Sequence, residues 1–341
     1  MRSCILFLFA LACAPACAQM LAPQPEAAPS PQLTPEQLLA QFHHDEINLL
    51  ALRADPAPLL AAALMATPDA DDKSRPAPLK TTALLARAQK FGAENPLVWW
   101  VTAGVQCHGA KKACPDTETL QQLEKTDAQN AAVWALAFAR AQAEKDDTTA
   151  RAALTSAAQS AQYDDHFGAL IAIVDTAAGV LPVSEDIMRA AGQSSVSTEG
   201  FKLTYAAGIA ASLPQPGLRA IVETCKGAAN DDPTLAADCV AVAQKIADCG
   251  SLITRGYGIA LLGELTPAGS HHEIADARAR TQAWLTQRIG ELGERLASDP
   301  RLAKIYLDAL AQRGQEIDAV QAVLSHQGVA LEPPADWKAP Q

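Results

Sequence analysis

Apolar residues in this chain recur every three or four positions rather than every second one. Leu285, Ile289, Leu292 and Leu296 form one stripe, and Leu302, Ile305, Leu307 and Leu310 approximate another. That is the spacing of a helix with one face turned to a core. No segment sustains the two-residue alternation between hairpin turns that a half-buried strand needs, so the pattern predicts an all-α fold without a sheet. Helix starts are marked by a capping residue before proline, as at Asp55-Pro56, Asn95-Pro96, Asp232-Pro233 and Asp299-Pro300. Thr34-Pro35-Glu36-Gln37 adds the reciprocal glutamine of a capping box.

These signals predict helices over 35–53, 56–66, 79–91, 96–106, 117–126, 130–143, 147–161 and 165–180. They continue with helices over 184–193, 199–213, 216–228, 233–248, 251–265, 271–298, 300–313 and 316–326. The polar, proline-bearing stretch 68–78 reads as a loop. The hydroxyl-rich run from Gly192 to Thr198 separates an N-terminal repeat region, 34–192, from a C-terminal helical region, 199–328. The tail 329–341 is irregular, with Trp337 placed to hold it against the body.

Within the N-terminal region a period emerges. Trp100 and Trp134 stand 34 residues apart. With Trp134 at the fourth position of a unit, Ala150 and Ala157 fall at the small positions of a second helix and Leu154 at its large apolar position. One unit earlier, Gly104 follows Trp100 where a small residue is wanted, and Leu120 and Leu123 lie on the second helix. Over 96–164 the chain therefore resembles tetratricopeptide-repeat proteins. It departs from them at Gly168, where the next tryptophan belongs, and at Gln162, where the family favours a closing proline. The resemblance implies stacked antiparallel helical hairpins, a solenoid continued by further helices, and a task of binding another protein or peptide.

The first residues change the compartment. Met1-Arg2-Ser3, an apolar run from Cys4 to Ala14 and Ala16-Cys17-Ala18 before Gln19 form an export signal spanning 1–18. A proline-rich segment, 19–33, follows as a spacer that cannot pack a core. Cys13 and Cys17 each follow an alanine, but neither has leucine three positions before it, so a lipid anchor is disfavoured. The expected destination is the periplasm of a bacterial cell envelope, with release or lipid anchoring as the other routes. No second apolar run reaches the roughly 20 residues of a membrane span.

Loss of Arg2 with the signal leaves 26 basic against 38 acidic residues, a formal charge of −12. Such an acidic surface argues against nucleic acid and anionic membrane faces as partners. Five cysteines would remain, and in an exported protein they read first as disulfides. Cys107 and Cys114 flank a turn containing Gly109, while Cys225 and Cys239 are equidistant from the turn at Asp231-Asp232-Pro233. The pairs Cys107–Cys114 and Cys225–Cys239 are expected, leaving Cys249 unpaired, either as a buried thiol or as a reactive one.

Signatures of catalysis are scarce. There is no nucleophile elbow and no phosphate-binding glycine loop, and Gly256-Tyr257-Gly258 reads as close helix packing. Cys107-His108 is half of a haem-attachment motif, with Gly104 where the first cysteine should stand. His43-His44-Asp45-Glu46 and His271-His272-Glu273 collect ligand-type side chains. Adjacent helical residues point about 100° apart, so one ion cannot take both histidines of a pair. His43 with Glu46 is an acceptable couple but lacks a matching helix, and Ser270 reads as the N-cap before the second pair. No metal, no cofactor and no catalytic residue is expected.

The expected function is therefore a non-enzymatic protein-binding or scaffolding module. Its candidate contacts on the first helices of the two best units are Trp99, Gln106, Asn130 and Arg140, with Trp99 the one tryptophan free to face outward and burial in the core its default. A stoichiometric inhibitor or immunity protein against an envelope-acting toxin is the alternative. A metal-dependent enzyme on a helical scaffold is the second alternative.

Overall fold

The computed structural model describes residues 33–66, 76–228, 232–266 and 268–339. The export signal with Cys13 and Cys17, nearly all of the spacer and positions 68–75 of the loop lie outside the described residues. Among the described residues every regular element is helical, apart from an isolated bridge between Asn130 and Gln162. No helix there is long and apolar enough to cross a membrane.

Helices α1 (Pro35–Ala51), α2 (Pro56–Ala66), α3 (Thr81–Phe91), α4 (Pro96–Cys107), α5 (Thr117–Thr126), α6 (Ala131–Glu144) and α7 (Asp147–Gln159) each pack on the next. A 3-10 turn at Ala77–Leu79 stands where the sequence pattern placed the end of a loop and the start of a helix. Helix α8 (Phe167–Ala177) packs on α2 and on α10 (Thr198–Ala211), and the short α9 (Glu185–Ala190) packs on α1. Helix α11 (Pro216–Ala228) lies on α6, α12 (Pro233–Ala247) on α7, and α13 (Leu252–Leu265) against both α11 and α12. Helices α14 (Ser270–Glu291), α15 (Gly293–Ser298), α16 (Pro300–Arg313) and α17 (Glu316–His326) complete the fold, with α16 against α8 and α10. One apolar core runs from Ile47 to Leu324, so the regions before and after the 192–198 connection share it.

Caps fix most helix starts. Thr34 and Gln37 close a reciprocal capping box, and Asn95, Asp116, Asn130, Asp146, Ser184, Ser197, Asp232 and Asp299 accept from backbone N–H groups. Two local expectations need correction. The N-cap of α14 is Gly269, at φ 87°, and not Ser270. The single helix expected over 271–298 is broken at Leu292, whose N–H is shared among the carbonyls of Arg288, Ile289 and Gly290. The break redirects α15 onto α10, where Ala297 O accepts from both the backbone and the hydroxyl of Ser197.

Two helix starts match each other at a spacing one residue longer than the 34 between Trp100 and Trp134. Asn95 and Asn130 have nearly the same backbone, φ −90° and −99° with ψ 113° in both. Each side chain accepts from the N–H two residues on, at 3.0 Å. Trp99 Nε1 donates to Ala93 O at 2.7 Å, and Trp134 Nε1 donates to Ala128 O at 2.8 Å. Equivalent positions are thus Asn95 with Asn130 and Trp99 with Trp134, a shift of 35. Trp100 matches Ala135 instead and packs edge-on against His166, ring centroids 5.2 Å apart. At Gly168, 34 residues beyond Trp134, a Cβ would collide with the carbonyl of Gly314 at the end of α16, while at the 35-residue shift the position equivalent to Trp99 and Trp134 is Ala169.

Both expected disulfides are present. Cys107–Cys114 ties the end of α4 to the loop before α5, with Cα atoms 5.3 Å apart. Cys225–Cys239 joins α11 to α12 at 5.5 Å. Cys249 is free and buried.

Candidate functional site

Asp165 lines a cavity between α8, α11 and α13, and local backbone geometry puts it there. The next residue, His166, sits in the left-handed region at φ 56° and ψ 13°, and α8 begins immediately after it. A non-glycine residue holds that conformation only where its surroundings over-determine it. Here His166 Nε2 lies 3.1 Å from Asp127 Oδ2 and its Nδ1 3.6 Å from Asp164 Oδ2. Burial works to lower the His166 pKa, but the Asp127 hydrogen bond and the charges of Asp164, Asp127 and Asp165 outweigh it, leaving it raised.

The Asp165 carboxylate is then aimed away from the repeat. Its Oδ1 accepts from Phe167 N–H at 3.1 Å. Its Oδ2 accepts from Ser251 Oγ at 2.6 Å, Thr254 Oγ1 at 2.5 Å and Gln215 Nε2 at 3.3 Å. One buried side chain therefore joins the start of α8, the α10–α11 connection and the start of α13. A second carboxylate lies beside it. Glu316 Oε2 accepts from Leu252 N–H at 2.7 Å and its Oε1 lies 3.4 Å from Tyr306 Oη. Burial, reinforced by the charge of Asp165, raises the Glu316 pKa against the opposing hydrogen bonds.

Asp165 and Glu316 face a cavity of about 440 Å³. Its walls are Phe167 of α8, Ala210 and Leu213 from the end of α10, Leu218 and Val222 of α11, and Thr254 of α13. That volume lies in the range of small-ligand and side-chain pockets. Two large apolar side chains stand at its mouth in water: Ile253 is 69% exposed and Tyr257 53%. Arg219 and Glu223, also at the rim, engage each other at 2.7 Å. Exposed aromatic and aliphatic groups beside an apolar recess are the usual surface of an interaction site.

The four contact residues expected from sequence do not assemble into a surface. Trp99, the one tryptophan free to face outward in the expected register, follows the core default: it is only 6% exposed and holds the α3–α4 turn through its indole. Asn130 is fully buried: it caps α6, accepts from Asp164 N–H at 2.9 Å and donates to Asp127 and Asp164 O at 2.8 Å. Gln106 and Arg140 lie on the two sides of the start of α5. Gln106 donates to Asp116 and Thr119 and accepts from Asp116 N–H, while Arg140 binds Thr117 and Glu144.

Other sequence candidates resolve into structure. His43 Nδ1 lies 3.3 Å from Glu46 Oε2 and 3.1 Å from Tyr205 Oη, fastening α1 to α10. His272 lies 3.4 Å from Asp276 on its own helix. No three His, Cys, Asp or Glu side chains among the described residues are grouped to hold a metal ion. The Cys249 thiol is pushed up to about 12 by burial and by the charge of Asp165, so it carries almost no thiolate at neutral pH.

Sequence reasoning did not find Asp165, Ser251, Thr254 and Glu316. Asp164-Asp165 before a helix start and Ser251 before another were visible only as capping signals. Their convergence depends on contacts between residues up to 89 positions apart. No protein-family model matches this chain, and neither does any curated protein or solved structure.

Proposed function

We propose that this is an exported, non-enzymatic helical protein that binds a segment of another protein in the cavity between α11 and α13. The single observation that carries the reading is the recess itself: an apolar-walled cavity of about 440 Å³ whose mouth exposes Ile253 and Tyr257. Leaving those side chains in water is unfavourable by about 25 cal/mol per Å² of apolar surface, and a partner that covers them recovers that free energy. The chemistry of the lining favours binding over turnover, since the Ser251 and Thr254 hydroxyls are both committed to Asp165. Two disulfides are compatible with an oxidising compartment. A tetratricopeptide-like ancestry for the α3–α6 units belongs to the same proposal, supported by their matched turns.

Val222 lines the cavity, and Val222→Trp would fill it. Capture from a cell-envelope extract by wild-type protein and by this variant tests the reading. A protein enriched by the wild type and lost with a variant of equal melting temperature is the expected result. Equal recovery with both would contradict it.

A further inference from the structure

The cavity has a charge imbalance that its own residues leave open. Asp165 and Glu316 bracket consecutive residues of one turn, Asp165 through the Ser251 hydroxyl and Glu316 through the Leu252 N–H. Neither carboxylate forms an ion pair among the described residues: the Arg219 guanidinium at the rim is engaged by Glu223, and His166, which feels the charge of Asp165, is paired with Asp127 and Asp164. The polar groups that satisfy Asp165 and Glu316 are neutral hydroxyls, an amide and backbone N–H groups. The starts of α8, α13 and α17 each contribute about half a positive charge, which falls short of two carboxylates. A net negative recess with apolar walls remains, where water screens charge poorly.

We propose that the partner segment anchors itself by a lysine or arginine flanked by apolar residues, the basic head reaching Glu316 and Asp165. The inference rests on the binding function proposed above and names the chemistry of its partner. The apolar neighbours of that head would cover Tyr257, Ile253 and Leu218, and its long stem suits a walled recess leading to a polar floor. The chain's own spacer does not supply this chemistry: residues 19–33 contain Glu26 and no lysine or arginine.

The test is fluorescence anisotropy of the purified mature chain with blocked, labelled peptides of the form Gly-Ser-Leu-X-Leu-Ser-Gly. X is lysine, arginine, glutamine or glutamate. The lysine and arginine peptides are expected to bind about tenfold tighter than glutamine, from one charge-assisted bond in a recess, with glutamate weakest. Glu316→Gln keeps the shape and the acceptor for Leu252, and should shrink the lysine-to-glutamine ratio to below about threefold. Asp165→Asn is not the variant of choice, because that side chain joins three parts of the fold.

Equal binding of the lysine and glutamine peptides would overturn the basic anchor while leaving the binding function intact. Competition by hexylammonium ion as strong as the lysine peptide would overturn the chain-segment occupant in favour of a small amine. If no peptide binds although Val222→Trp abolishes capture, the partner lacks this motif and the inference falls alone. If capture is also unaffected, the proposed function falls with it.

Discussion

Asn130 uses all its hydrogen-bonding capacity at a position no solvent reaches. Its oxygen serves Ala132 and Asp164 N–H, and its amide group serves Asp127 and the Asp164 carbonyl. Asn130→Ala removes a helix cap and strands buried backbone groups together, so a loss of about 3 kcal/mol is expected in urea unfolding. Binding at the cavity is then affected only through folding, because Asn130 is not part of its wall. His166 makes the neighbouring contact sensitive to pH. Its folded pKa is raised, so its stabilising contribution is complete below the ordinary histidine value of about 6.5 and disappears as pH rises through the folded value. Wild-type urea midpoints should therefore fall across that alkaline-going window, and His166→Gln should flatten the fall. A wild-type midpoint that rose there would contradict the assignment. The paired tryptophans carry the main lesson at this scale. Trp99 and Trp100 are adjacent, so 34 and 35 both fit the sequence, and the capping asparagines at 95 and 130 were the signal that settles the choice.

Helices were legible because their starts are chemical and local. Caps and first-turn prolines place α2, α5, α11 and α16 where the sequence pattern sets them. What the pattern could not show were boundaries set from outside the helix. The break after Leu292 lets α15 meet α10, and the close approach of the end of α16 to Gly168 leaves no room there for a side chain. Gly256-Tyr257-Gly258 illustrates both halves of the problem. Gly258 does mark close packing, since a Cβ there would collide with the α12 backbone at Ile246 and Ala247, but Gly256 has no such neighbour. Tyr257 between them points into water. Gly258→Ala should cost about 2 kcal/mol by forcing α12 and α13 apart, whereas Gly256→Ala should be neutral or slightly stabilising. Differential scanning calorimetry of the two variants checks this, and equal melting temperatures would refute it.

At the scale of the molecule, helical class and disulfide pairing could be read from residues close in sequence, but the cavity could not. Its floor combines Asp165, Ser251, Thr254 and Glu316, brought together by the packing of α8, α13 and α17. No local periodicity encodes that convergence. The sequence pattern places contacts on α4 and α6, yet these helices turn inward: Trp99, Trp100 and Asn130 are buried, and α6 is covered by α11. Helices α6 and α7 therefore act as a platform, and the recess opens among the helices laid against them. Site-specific photo-cross-linking in living cells tests this account most directly, with the photoreactive residue replacing Tyr257 and, as control, Leu52, the C-cap residue of α1, which is 80% exposed and does not line the cavity. A discrete adduct from position 257, absent from position 52 and abolished by Val222→Trp, is the expected result. Adducts of equal yield at both positions, or none at 257 in well-folded protein, would contradict it.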